Sequence, residues 1–394
     1  MKPIYRTYKS GQLTRRALLS AAAAGTAAGQ RGELFELTVC PWTPENPRHD
    51  HQLIFPLSGG RLLLAWCEYY VRRPSAIFRD QYSGRGSTDE APCRISGRIS
   101  KDNGRTWSGK ITLQDNIAAD NVKHPNLLRL PSGEILFSFT ARSMSAGTLR
   151  VYLKRSRDEC ETWDEPVEIS PPGGFWFTNA DHAFRHTSGR LIQPTHWGKI
   201  YGTGDHYEAL VLYSDDDGKN WRPSRVRMDL PKRGAEEPAM VELKDGSILA
   251  LLRTTLGRIY RSVSKDRGET WATPEPAELP SPSSASCLKR IPGTGDLLFL
   301  WNNATPYALR AAGAARFHLP RNPLTSAISR DEGRTWSNFK DIERREGYIS
   351  AYPSVTFVGK EALVGYYHAS ESMSRDCELK LKIFPVDWFY SAAR

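Results

Sequence analysis

Long hydrophobic runs are missing from this 394-residue sequence. Beyond a mild Ala-rich stretch near the N-terminus, nothing approaches the roughly 20 consecutive apolar residues that a membrane-spanning helix needs. No membrane span is therefore expected. Helical periodicity of apolar residues is also scarce, which argues against an all-helical fold. Cysteine is sparse, with six residues at 40, 67, 93, 160, 287 and 377 and no CxxC pair, so zinc-ribbon spacing is excluded. One disulfide and a set of buried free thiols both fit that scatter. The chain has no basic run or aromatic stacking motif of the nucleic-acid-binding kind, and nucleic acid is not an expected partner. Net charge is +10, but five basic and no acidic residues fall within 1–28, leaving +5 for the remainder. Such a modest excess favours an anionic ligand.

What is present is turn chemistry. The 31 Gly, 26 Pro and 11 Trp suit many short strands joined by turns, and 39% hydrophobic residues suffice for a large core. Near the N-terminus, LTRRALLSAAAAGTAAG (Leu13–Gly29) joins the pair Arg15–Arg16 to an Ala-rich stretch and small residues suited to cleavage near Ala28. This resembles a twin-arginine export signal. The expected organisation is an export signal over residues 1–28 and one domain over 29–394, delivered to the periplasm or the extracellular space.

One octapeptide recurs along the chain. SKDNGRTW starts at Ser100, SRDECETW at Ser156, SDDDGKNW at Ser214, SKDRGETW at Ser264 and SRDEGRTW at Ser329, with spacings of 56, 58, 50 and 65 residues. Its Asp supplies a side-chain turn acceptor, its Gly supplies positive φ, and Thr-Trp restarts a strand with an apolar anchor. Each copy therefore reads as a hairpin turn, and five copies of one turn are scaffold rather than five active sites. A second device recurs too: a polar Gly turn followed by an apolar strand, as in LSGGRLLLAW, LPSGEILFSF, HTSGRLIQP and LKDGSILALL. Strand signals fall into six groups, and LFELTV (Leu34–Val39) offers a strand to close a ring. The expected fold is all-β, a six-bladed β-propeller of four-stranded antiparallel blades with these octapeptides as turns. Chemistry should then lie in polar residues that occur once.

With these repeats in place, residues 45–385 resemble the sialidase superfamily of Asp-box, or BNR-repeat, propellers. In that family three arginines hold a sugar carboxylate, a tyrosine paired with a glutamate attacks the anomeric carbon, and an aspartate is the acid/base. By this resemblance EEPAMVELKDGSILALLR implies Glu237 as the tyrosine's partner and Arg253 as one arginine. RNPLTSAIS implies Arg321 as a second, and SAYPSVTF implies Tyr352 as the nucleophile, with Tyr348 its competitor. Where the family has Arg-Ile-Pro, this chain has NPRHDHQLIFPL. Arg48 is the nearest arginine, while counting back from the turn at Gly60 puts Asp50 at that place. For the acid/base, STDEAPCRISGRIS offers Asp89, with Asp80 and Glu68 as rivals. The grouping is chemically coherent, because a phenol with a pKa near 10 needs both a base and neighbouring cations to attack at neutral pH.

Histidines offer a second set of candidates. His49, Asp50 and His51 could supply a catalytic base or metal ligands, but neighbours on a strand point to opposite faces, so only His49 and His51 are expected to converge. No distant partner at ligand spacing appears, and neither a metal nor a cofactor is expected. His182 and His196 flank another hairpin. The resemblance implies an exo-acting hydrolase, sialidase-like, that cleaves a bond to an acidic sugar, its partner being an acidic glycan or oligosaccharide. A lyase or another glycosidase acting on uronate-containing glycans is the alternative, and a non-catalytic glycan-binding propeller is a third.

Overall fold

The computed structural model describes residues 34–71, 89–202, 204–304, 321–371 and 377–391. The export-signal reading of residues 1–28 and the candidate Asp80 lie outside the described residues.

The octapeptides fold as one motif. In the last copy, Asp331 accepts the Thr335 backbone N–H (2.8 Å) and the Thr335 hydroxyl (2.6 Å) on its two oxygens. Ser329 Oγ donates to the same carboxylate at 2.8 Å and accepts the Gly333 N–H at 2.8 Å. The same bonds recur around Asp102, Asp158, Asp216 and Asp266, with Asn220 replacing Thr in the third. Gly333 sits at φ 78, and a Cβ there would lie 2.4 Å from Leu249 Cδ2 on another sheet. Cys160, at the Gly position of the second copy, adopts φ 70 and keeps the bond to Ser156 Oγ.

These turns join antiparallel strands into sheets. One sheet runs Arg48–Pro56, Leu62–Tyr69, Cys93–Ser100 and Ile111–Gln114. Two others are Glu236–Glu242 through Glu275–Pro280 and Cys287–Arg290 through Ser337–Glu343, again with four strands each. A nine-stranded sheet spans Asn121–Arg129 to Arg222–Pro223, and its two halves meet through one parallel pair, Phe175↔Leu149. In the remaining sheet the first described strand meets the last: Phe35–Cys40 pairs with Glu378–Pro385, outside Glu361–Ser370 and Tyr348–Val358.

The second strands Leu62–Tyr69 and Ile248–Arg253 pack apolar residues on both faces, because each face meets a different neighbour. Leu63 and Ala65 pack with Phe137 and Phe139, while Leu62, Leu64 and Trp66 pack with Leu363, Leu381 and Ile383. Likewise Leu249 and Leu251 face Leu297, Phe299 and Trp301, whereas Ile248, Ala250 and Leu252 face Ile192 and Val211. Strict alternation along a strand thus serves two cores at once. The six cysteines are all buried free thiols.

First strands of the sheets lie beside one another, Arg48–Pro56 packing on both Asn121–Arg129 and Tyr348–Val358. Four of them share an irregularity. Pairing slips between Asp50 and Leu53, Lys123 and Asn126, Glu236 and Ala239, and Ala351 and Ser354. At each slip one residue takes positive φ: His51 (47), His124 (61), Glu237 (37) and Tyr352 (52). Bulges of this kind re-aim a side chain, and strained backbone persists where the surroundings enforce it.

Candidate functional site

The re-aimed side chains converge. Tyr352 Oη donates to Glu237 Oε1 at 3.0 Å although the two are 115 residues apart in sequence. Arg253, at the end of Ile248–Arg253, donates from Nη1 to Glu237 Oε2 at 2.6 Å and to Tyr352 Oη at 3.2 Å. Its Nε is held by Ser283 Oγ at 3.0 Å. Arg321, just before Leu324–Ser329, donates to Tyr367 Oη at 2.7 Å and lays its guanidinium 5.4 Å from the centre of the Tyr352 ring. Glu237, Arg253 and Arg321 are buried, while Tyr352 is partly exposed.

Burial alone would raise the Glu237 carboxyl, but Arg253 overcomes it and holds the group well below the carboxylate range. Burial, then the negative Glu237, raises the Tyr352 phenol, and Arg253 and Arg321 pull it back only in part. At rest the proton therefore sits on the phenol, pointed at an ionised acceptor.

A second group adjoins the first. Asp50, fully buried, accepts from Arg48 Nε on one oxygen and lies 2.6 Å from His51 Nδ1 on the other. The His51 ring lies 4.1 Å from the Tyr352 ring and 4.5 Å from the His124 ring, centre to centre. Arg48 also holds Asp89 at 2.9 Å, and Lys123 approaches the same carboxylate at 3.6 Å. Arg48 and Asp89 are thus paired with each other beside Asp50, whereas Arg253 and Arg321 flank Tyr352.

The alternation argument, which paired His49 with His51, fails here. The bulge turns His51 out of the strand's pleat and onto Asp50 instead. His49 lies on the other side, accepting the Trp66 indole N–H at 3.0 Å. Asp50, His51 and Cys67 place donor atoms within 4.8 Å of one another. Within that set Asp50 is engaged by Arg48 on one oxygen and by His51 Nδ1 on the other.

Other candidates fall elsewhere. Tyr348 stacks on His368 at 4.8 Å beneath the Arg345 guanidinium. Glu68 is held by Arg94, Lys110 and Ser96. His182 has a carbonyl at each ring nitrogen, Pro238 at 3.1 Å and Ser286 at 3.0 Å. His196 stacks on Phe177 and accepts the Glu237 backbone N–H on Nδ1 at 3.2 Å, fastening the bulge that aims Glu237. A cavity of about 490 Å³ beside the Asp181–Lys289 ion pair shares no residue with the Tyr352 cluster.

Sequence reasoning missed His124. A signal for it exists: Lys-His-Pro-Asn from Lys123 matches Glu-Glu-Pro-Ala from Glu236 and Ala-Tyr-Pro-Ser from Ala351, with the re-aimed residue before Pro each time.

Comparison with known proteins agrees with this architecture. A model of the BNR repeat-like domain matches residues 78–368. A sialidase of Bacteroides fragilis is 24% identical over 249 residues, 60% of this chain and 42% of its own length. One of Micromonospora viridifaciens is 26% identical over 300 residues, 67% of this chain and 44% of its own. The chain thus spans less than half the length of these relatives. Among solved structures, a leech intramolecular trans-sialidase superposes with TM-score 0.68 at 15% identity, covering 92% of this chain and 71% of its own. A protein of unknown function from Dyadobacter fermentans reaches 0.68 at 16%, covering 89% and 99%. The chain belongs to the BNR repeat-like family of the sialidase superfamily.

Proposed function

We propose that this chain is a six-bladed β-propeller glycoside hydrolase that cleaves a bond to a carboxylate-bearing sugar. The observation that carries the reading is the contact of Tyr352 with Glu237 and Arg253 beneath Arg321. The blade count is supported by the nine-stranded sheet, whose halves share one bridging pair and would be two blades. Several relatives are sialidases, and one similar structure holds sialic acid.

In this reading Arg253 and Arg321 receive the sugar carboxylate, and Arg48 is occupied in neutralising Asp50. Tyr352 Oη attacks the anomeric carbon while its proton passes to Glu237. Glu237 is a weak base and Tyr352 a weak acid, so the transfer runs with bond formation rather than ahead of it. The nearby guanidiniums stabilise the developing phenolate. A phenol also suits an anionic sugar better than a carboxylate nucleophile would, since like charges repel.

The test is turnover of sialosides and uronate-containing glycans by the purified protein and four variants. Tyr352→Phe and Glu237→Gln should lose turnover by about 10²-fold or more while retaining ground-state binding. Arg253→Lys and Arg321→Lys should weaken binding of the acidic substrate by about 2–4 kcal/mol, an effect absent with a carboxyl-reduced substrate. An unsaturated product absorbing in the ultraviolet would assign a lyase instead. Binding without turnover would leave a lectin-like propeller.

A further inference from the structure

The arrangement around Asp50 has a chemistry of its own. Asp89, its side chain about half exposed, is clamped by Lys123 and Arg48, and these two cations hold its carboxyl well below the usual range. A carboxyl kept ionised in this way has no proton to give to a leaving group near neutral pH. His51 is differently placed. Asp50 is an ionised acceptor, so His51 Nδ1 carries the proton between them, and this fixes Nε2 as the atom that exchanges one. Among the described residues Nε2 has no hydrogen-bond partner. The ring lies against Tyr352 on one side and His124 on the other. His124 is tied through Nδ1 to Thr140, and burial keeps it neutral.

We propose that His51, oriented by Asp50, is the acid/base of this site in place of Asp89; the inference rests on the hydrolase reading above. In the first step the Tyr352 oxygen bonds to the anomeric carbon and its proton goes to Glu237. The bond from that carbon to the leaving oxygen breaks, and the leaving oxygen takes the Nε2 proton of His51. In the second step neutral Nε2 takes a proton from water, the water oxygen bonds to the anomeric carbon, and the bond to Tyr352 breaks. The phenolate then recovers its proton from Glu237. Both steps balance, with water the only co-reactant. Asp50 is a positioning residue that holds the tautomer. The charged and titratable groups around His51 are Asp50 on its own strand, His124 on Asn121–Arg129, Glu237, Tyr352, Cys67 and Asp89, with Arg48 paired to Asp50 and Asp89 and Lys123 to Asp89.

The test compares two leaving groups on one acidic sugar: an activated nitrophenol and an ordinary sugar hydroxyl. A lost acid matters little for the first and greatly for the second. His51→Gln should lose about 10²–10⁴-fold on the sugar leaving group and less than about 10-fold on the nitrophenyl glycoside. Azide, which attacks without losing a proton, should accelerate the variant. Asp50→Asn should show the same split more weakly, and it serves as the second reading if His51→Gln does not fold by its melting curve. Asp89→Asn should slow both substrates by one small factor, with no azide effect. Equal losses for both leaving groups in the His51 and Asp50 variants, or a split that follows Asp89 instead, overturns the assignment while an active, Tyr352-dependent wild type keeps the hydrolase reading. A wild type inactive on both glycosides, or a fully active Tyr352→Phe, removes the hydrolase reading and this inference with it.

Discussion

Tyr352, Glu237, His51 and His124 reach one another because each stands at a backbone bulge with positive φ, a conformation that side chains rarely adopt. The Tyr–Glu–Arg group was implied by the resemblance of its motifs to the sialidase superfamily, but the juxtaposition of Asp50 with His51 was not. It depends on a break in the strand's alternation, and no rule of residue spacing shows one where Gly and Pro are absent. Burial sets the protonation of two histidines nearby. It pushes His49 down to about 4 and His196 to about 3, and each already uses Nδ1 as an acceptor. The unfolded imidazole titrates near 6.5, so between that value and the folded one the unfolded chain binds more protons. Their stabilising contribution is thus complete above about pH 6.5 and is lost as pH falls toward 4 and 3, on the order of 3 kcal/mol each. Melting temperature should drop over that interval, and His196→Asn should flatten the drop. An identical pH profile in the variant would remove His196 from this account.

At the scale of elements, the octapeptides were the most legible feature, since their Ser, Asp, Gly and Thr act within eight residues of chain. Asp331→Ala removes the acceptor for both Thr335 groups and should cost about 1–3 kcal/mol. Gly333→Ala adds a methyl group at positive φ against Leu249, so it should destabilise by a comparable amount or more. In either variant, substrate affinity of the folded fraction should stay unchanged. A loss of affinity at an unchanged melting temperature would place these turns in the site. Cys160 is the exception that local reasoning left open, and packing explains it: its side chain belongs to the core of Leu63, Phe137 and Phe139.

For the whole molecule, the pairing of Phe35–Cys40 with Glu378–Pro385 fastens the two ends of the domain. A chain beginning at residue 41 would lose Val39 and Cys40 from the core of Trp66 and Leu381 and expose a strand edge. It should lose several kcal/mol and aggregate on heating, and a peptide of sequence Phe35–Cys40 added in trans should raise its melting temperature. A truncated chain that melts like the longer one would show that this strand is dispensable. That pairing was foreseeable from the β-rich segments Leu34–Val39 and Leu379–Phe389. The sequence by itself determined the hairpin turns and the strand pattern, because those depend on local turn chemistry, and the resemblance its motifs carry pointed to Tyr352, Glu237, Arg253 and Arg321. Only the tertiary structure decided that Arg48 pairs with Asp50 and Asp89, and that His51 faces Tyr352. The Arg48–Asp50 pair forms within one strand, but Asp89 is brought to Arg48 from the segment before Cys93–Ser100, and His51 and Tyr352 stand at bulges on first strands of different sheets, so these partners are set by how strands and sheets pack.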